Sequence, residues 1–171
     1  MYDGNGFVRD AEQVCCESAR VLVQEGIDTK FVEAVKKAFD DVAKKMGDPS
    51  LADTAFGPLA DKKQVERVMG FLTDGKNEGI QIVSGGGRMG DKGTFVQPTV
   101  LLNPDVKSRV FTDEIFGPVI AVRTFKTEEE AIAIANDTTY GLGCEFLCFP
   151  FWGFRLFLFA QLMKSSTASV F

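Results

Sequence analysis

Short apolar runs alternate along this chain with amphipathic segments of helical period, and that alternation constrains the fold more than any other feature. Arg20 to Gln24 is apolar and β-branched and ends at the turn Glu25-Gly26, which predicts a strand. Asp28 stands where a helix cap is expected, with Ile27 and Val32 spaced as a hydrophobic staple. Phe31, Val35, Ala38, Phe39 and Val42 share one helical face opposite lysines and acids, until Gly47-Asp48-Pro49 stops the pattern. A second helix is predicted near Asp61, where Gln64 completes a capping box. Val65, Val68, Met69 and Leu72 form its buried stripe, and Gly75 or Gly79 ends it. Gln81 to Val83 and Val119 to Phe125 read as strands, and Thr94 to Leu102 as a longer one whose Pro98 marks an edge or bulge. Thr127 and Glu130 cap a third helix carrying Ala131, Ile132, Ile134 and Ala135 inward. Strands alternating with helices predict parallel-type α/β layers.

At 171 residues the chain is long enough to bury the core of one such domain. A net charge of −5 with few basic clusters excludes the cationic face that nucleic acid requires. The first six residues hold neither a charged n-region nor an apolar core, so no secretory signal is expected. Four cysteines, two of them adjacent, do not make a disulfide framework at this size, which points to a reducing, cytoplasmic compartment. The chain has no histidine, which removes Ser-His and Cys-His catalysis and imidazole metal sites together. Zinc would need Cys15, Cys16, Cys144 and Cys148, whose spacing departs from the usual C-x-x-C pairs, so no metal is expected.

Two signals about a hundred residues apart carry candidate chemistry: Gln13-Val14-Cys15-Cys16 and Glu114-Ile115-Phe116-Gly117-Pro118-Val119. Between and after them, in order, stand the segments 20–27, 31–33, Gly47-Asp48-Pro49, Gly57-Pro58, 75–79, 93–100, 125–131 and 135–142. Together these closely resemble the catalytic domain of the NAD(P)-dependent aldehyde dehydrogenase superfamily. The resemblance runs over about residues 13–143. It leaves residues 1–12 as a non-matching segment and residues 144–171 as an aromatic-rich tail outside the family.

The resemblance implies a Rossmann-like α/β sandwich, here truncated, from an enzyme that oxidises small-molecule aldehydes to carboxylic acids with NAD or NADP. It places Cys15 at the nucleophile. A thiolate adds to the aldehyde carbon, the resulting thiohemiacetal loses hydride to the nicotinamide, and water hydrolyses the thioester. Taken alone, adjacent cysteines read as small core residues. The flanking match assigns Cys15 to catalysis and leaves Cys16 to packing. Glu114 and Phe116 match positions that contact the cofactor, a carboxylate for the ribose hydroxyls and an aromatic ring beside them. As a bare motif the same turn reads as Phe116-Gly117-Pro118 with Glu114 solvated. Gln64 falls where the family has a polar residue near the cofactor. Dimers and tetramers are usual in the family, so a homo-oligomer is implied for the whole enzyme.

The departures have consequences. Glu12 replaces a family glycine, and Glu17-Ser18-Ala19 stands where Ala-Gly-Ser is usual. Two carboxylates beside a thiol oppose its ionisation. The coenzyme domain, the general-base glutamate and the oxyanion asparagine lie upstream in the family and are not among these residues. The chain alone is therefore expected to be inactive, as a fragment or as a non-catalytic partner of a full-length relative. A thiol-redox role for Cys15 with Cys16 is a further alternative, which the strained ring of adjacent cysteines counts against.

Gly85-Gly86-Gly87-Arg88-Met89-Gly90 satisfies G-x-G-x-x-G, but turn and strand residues follow it rather than a helix, so a loop is expected. The tail from Cys144 holds seven of the sixteen phenylalanines and the only tryptophan without clear period. Residues 146–163 are apolar enough to raise a membrane span, although Arg155 near the middle would be costly there. A frame-shifted or mis-spliced terminus is the preferred account of this tail, and a membrane anchor the second.

Overall fold

The computed structural model describes the backbone of residues 9–149 and 154–160 and the side chains of residues 11–142. A 3-10 turn, Arg9–Glu12, leads to β1 (Arg20–Gln24), α1 (Asp28–Ala43), α2 (Lys62–Asn77), β2 (Gln81–Ser84) and β3 (Thr99–Leu102). Then come α3 (Arg109–Thr112), β4 (Val119–Phe125), α4 (Glu128–Asn136), β5 (Gly143–Phe149) and β6 (Phe154–Ala160). The strands form one sheet in the order β2-β3-β4-β1-β6-β5.

The centre of the sheet is parallel, β3 beside β4 and β4 beside β1. Its flanks are antiparallel, β2 against β3 on one side and β6 against β1 and β5 on the other. The sequence pattern predicts the parallel centre. It does not predict the flanks, because no helix crosses between β2 and β3 and a connection without a crossover returns the chain antiparallel.

Helices cover both faces. Val21 and Val23 point into a core shared with Val35 and Phe39 of α1 and Val65, Val68, Phe71 and Leu72 of α2. Leu22 points the other way, to Phe111, Ala121, Phe125 and Ala131 and Ala135 of α4. This alternation follows from the two-residue period of a strand, and burial on both faces explains why β1 reads as a continuous apolar run.

The helix signals hold with two corrections. Asp61 caps α2 by accepting from Gln64 N at 2.8 Å, and Thr127 caps α4 by accepting from Glu130 N at 3.3 Å. Glu130 in turn accepts from Lys126 N at 2.8 Å. Asp28, however, lies inside the first turn of α1; its Oδ1 accepts from Gly26 N at 3.2 Å, and the cap position falls to Ile27 with no side-chain bond. Ile132 is 42% exposed rather than inward, because α4 turns only the Ala131–Ala135 edge and part of Ile134 to the sheet. Helix α2 ends at Gly79, whose φ of +74 suits the left-handed residue after a helix; Ile80 N closes the motif on Gly75 O at 2.9 Å.

Asp61 anchors the helix that supports the candidate site. Asp61→Ala is expected to lower stability by about 1 kcal/mol through loss of the cap, read as a lower urea midpoint with an unchanged slope.

Among the described residues no helix is long and apolar enough to cross a membrane. Segment 146–163 falls partly on the paired strands β5 and β6, which replaces the helical span raised from its composition; the rest of it lies outside the described residues.

Candidate active site

Two loops build the site. The first, residues 11–19, runs from the 3-10 turn to β1 and is tied to the start of α2 by Gln13 Oε1, which accepts from Ala60 N at 2.8 Å. Within it Glu17 N donates to Val14 O at 3.2 Å, and Ala19 N donates to Glu17 O at 3.1 Å. Cys15 and Cys16 are exposed free thiols at its tip. Ala11 and Glu12 both have left-handed backbones, with φ of 56 and 54 degrees. That region suits glycine, so position 12 carries backbone strain that a glycine would not.

The second loop, residues 113–118, joins α3 to β4. Gln64 of α2 holds it, its Nε2 donating to Ile115 O at 3.2 Å and Phe116 O at 2.5 Å. Arg67, one turn further on, donates to Glu114 O at 2.5 Å, and Glu114 N donates to Tyr140 Oη at 3.3 Å. Phe116 is left-handed at φ 59. Gly117 lies so close to α2 that a Cβ there would approach Val68 Cγ2 to 2.4 Å.

These loops meet. Cys15, Glu12, Val14, Glu17 and Ala19 from the first line one narrow crevice of about 10 Å³ with Glu114, Phe116 and Gly117 from the second. Three of the four site residues read from the sequence are thus brought together. The fourth, Gln64, does not line the crevice; it braces the loop from behind through backbone carbonyls. Sequence reasoning missed Arg67, Tyr140 and the close approach of Gly117. Only the Phe116-Gly117-Pro118 turn signal pointed toward the last.

The charges differ from expectation. Glu12 is only 3% exposed, and burial, with Glu17 adding repulsion, raises its carboxyl well above the ordinary value of 4.5. Burial therefore makes this carboxylate harder to form than that of an exposed glutamate. Glu114 is also raised by partial burial, an effect Arg67 counters.

Glu12 has a consequence for stability. At low pH both folded and unfolded chains hold its proton. As pH rises through 4.5 the unfolded chain releases it first, so stability falls until the folded carboxyl also ionises. Glu12→Gln is expected to remove that fall and flatten the dependence of Tm on pH above this point. Parallel pH profiles for the two proteins would contradict the burial of Glu12.

The glycine-rich loop holds no phosphate cradle. No helix begins between residues 85 and 98; instead Gly86 N donates to Thr99 Oγ1 at 2.9 Å, and Lys76 Nζ donates to Gly86 O at 2.7 Å. Among the residues that line the crevice, Glu114 carries a carboxylate and Phe116 an aromatic ring, the residue types that a nicotinamide nucleotide would need there. Among the described residues no group of three or more His, Cys, Asp or Glu could hold a metal ion. The side chains of Cys144 and Cys148 lie outside them.

The model of the aldehyde dehydrogenase family matches residues 4–147, most of the chain. This chain belongs to the aldehyde dehydrogenase family. The match extends somewhat beyond the 13–143 span read from motifs. An aldehyde dehydrogenase family 2 member of Arabidopsis thaliana is 44% identical over 136 residues, covering 79% of this chain and 26% of the relative. The aldehyde dehydrogenase of Alternaria alternata is 43% identical over 130 residues, with 76% and 26% covered. A Bacillus cereus aldehyde dehydrogenase solved with NAD+ superposes with a TM-score of 0.77 at 38% identity, over 81% of this chain and 28% of that one. The chain thus spans about a quarter of the aldehyde dehydrogenases it matches, and its α/β sheet is theirs over that quarter.

Proposed function

We propose that this chain is the thiol-bearing portion of an aldehyde dehydrogenase that oxidises aldehydes to carboxylic acids with NAD or NADP. The observation that carries the reading is the meeting of Cys15 with Glu114 and Phe116 in one crevice, although about a hundred residues separate them. Cys15 Sγ attacks the aldehyde carbon, the carbonyl electron pair moves to oxygen, and the sulfur later leaves as water takes its place. Sulfur serves both steps because it is a strong nucleophile and an adequate leaving group. Glu114 would accept hydrogen bonds from the ribose hydroxyls of a bound nucleotide and Phe116 would pack beside it, while Gln64 and Arg67 hold the loop that carries them. When bound, the nicotinamide nucleotide supplies the hydride acceptor.

Support also comes from relatives. A Staphylococcus aureus betaine aldehyde dehydrogenase has been solved with NAD+ and a BME-modified cysteine, and the equivalent reactive thiol here is assigned to Cys15. In this reading residues 13–143 are the catalytic-domain portion, with residues 1–12 and 144–171 outside it. The working compartment is the cytoplasm, and assembly into oligomers belongs to the whole enzyme.

The 171-residue chain alone is expected to give no aldehyde-dependent reduction of NAD or NADP, since the family's general base and nucleotide-binding platform are not among its residues. Turnover by the purified chain, followed as reduced nucleotide absorbance, would overturn this. A second reading, a non-catalytic remnant or partner of a full-length relative, has one observation on its side. Glu12 puts a buried acid with a left-handed backbone where the family has glycine.

A further inference from the structure

We propose that Glu12 is an acid–base group for Cys15, accepting the thiol proton as the sulfur attacks an electrophilic carbon. The inference rests on the reading of Cys15 as the nucleophile. It starts from a side chain that packing alone does not explain. Glu12 is 3% exposed, yet it lines the crevice that holds Cys15, and its Oε1 has no hydrogen-bond partner. Buried polar atoms almost always have partners, and one without a partner beside a crevice that a reactive group lines marks a candidate functional site.

The backbone agrees. Ala11 and Glu12 are consecutive non-glycine residues held left-handed, and such strain collects where geometry serves chemistry. The left-handed turn places Glu12 in the lining of the crevice that the exposed Cys15 also lines.

The titratable groups that line the crevice with Glu12 are Cys15 and Glu17 from its own loop and Glu114 from the opposite loop. Arg67, on α2, is engaged with the Glu114 carbonyl. Glu17 reinforces the effect of burial, so the Glu12 carboxylate binds a proton more strongly than an ordinary glutamate. The more strongly a carboxylate binds a proton, the better it accepts one from a neighbouring thiol.

Iodoacetamide tests the step without the absent parts of the enzyme. The Sγ–C bond forms, the C–I bond breaks, iodide leaves with the electron pair, and the thiol proton passes to Glu12 and then to water. Alkylation of Cys15 and Cys16 in the full 171-residue chain is followed separately by tandem mass spectrometry across neutral pH. Glu12→Gln is expected to slow Cys15 about tenfold, short of the ~100-fold a positioned base contributes to a complete reaction, and to move its rate profile to higher pH. Cys16 should be unchanged, which also reports that the loop is folded. Glu12→Gly removes the carboxyl and the backbone strain together and should slow Cys15 equally. Cys15 rates equal to or above wild type in either variant would overturn the inference, because an acid that merely repels the thiolate predicts acceleration. A fast wild-type Cys15 insensitive to Glu12 overturns this inference alone. A wild-type Cys15 no faster than Cys16 overturns the nucleophile reading with it.

Discussion

Gly117→Ala is expected to lower stability by about 1–3 kcal/mol, the usual cost of overpacking a filled core, and to open the crevice at Cys15. The added Cβ would stand 2.4 Å from Val68 Cγ2 and 3.4 Å from Val68 Cγ1. Val68 is fully buried in the stripe of α2 that packs on the sheet, so it has nowhere to retreat. The loop must therefore move away from α2, and the bonds from Gln64 to the carbonyls of residues 115 and 116 must lengthen. Two readouts check this: the urea midpoint falls, and Cys15 alkylation changes while the far-UV spectrum does not. A variant as stable as wild type would mean that the loop does not press on α2.

Gly85→Ala is expected to have a larger effect on stability and none on the thiol. Its Cβ would meet Pro98 O at 2.2 Å and Thr99 Oγ1 at 2.7 Å, and its φ is +68. Backbone cannot step aside as a flexible side chain can. Overpacking of about 1–3 kcal/mol adds to ~1–2 kcal/mol for a left-handed alanine. The loss falls on the β2–β3 edge, away from the crevice. Thermal unfolding measures the first part, and an unchanged Cys15 alkylation rate the second. The pair of variants separates the glycine that shapes the site from the glycine that only closes a turn.

Local signals were legible in the sequence where the physics is local. Strands β1 and β4 appear with the bounds read from their apolar runs, and the caps at Asp61 and Thr127 bond as their spacing implies. The antiparallel flanks were not legible, because strand order depends on connections that cross no helix. The short helix α3 was not legible either; four residues carry no period. The site divides in the same way. Cys15, Glu114 and Phe116 could be linked only through the family resemblance, since nothing in composition or spacing says that segments a hundred residues apart meet. Left-handed backbone at Ala11, Glu12 and Phe116 is invisible in residue types that normally avoid it. Position 12 is the instructive case: the glycine expected there has a geometric reason, and the glutamate found there turns the same geometry into a buried acid.

Alkylation of the two adjacent thiols in the presence of a saturating small aldehyde tests the central claim, that Cys15 is a carbonyl-attacking sulfur at a preserved crevice. Addition of the aldehyde to Cys15 should protect that sulfur and leave the rate at Cys16 unchanged. Equal protection of both cysteines, or of neither, would contradict it.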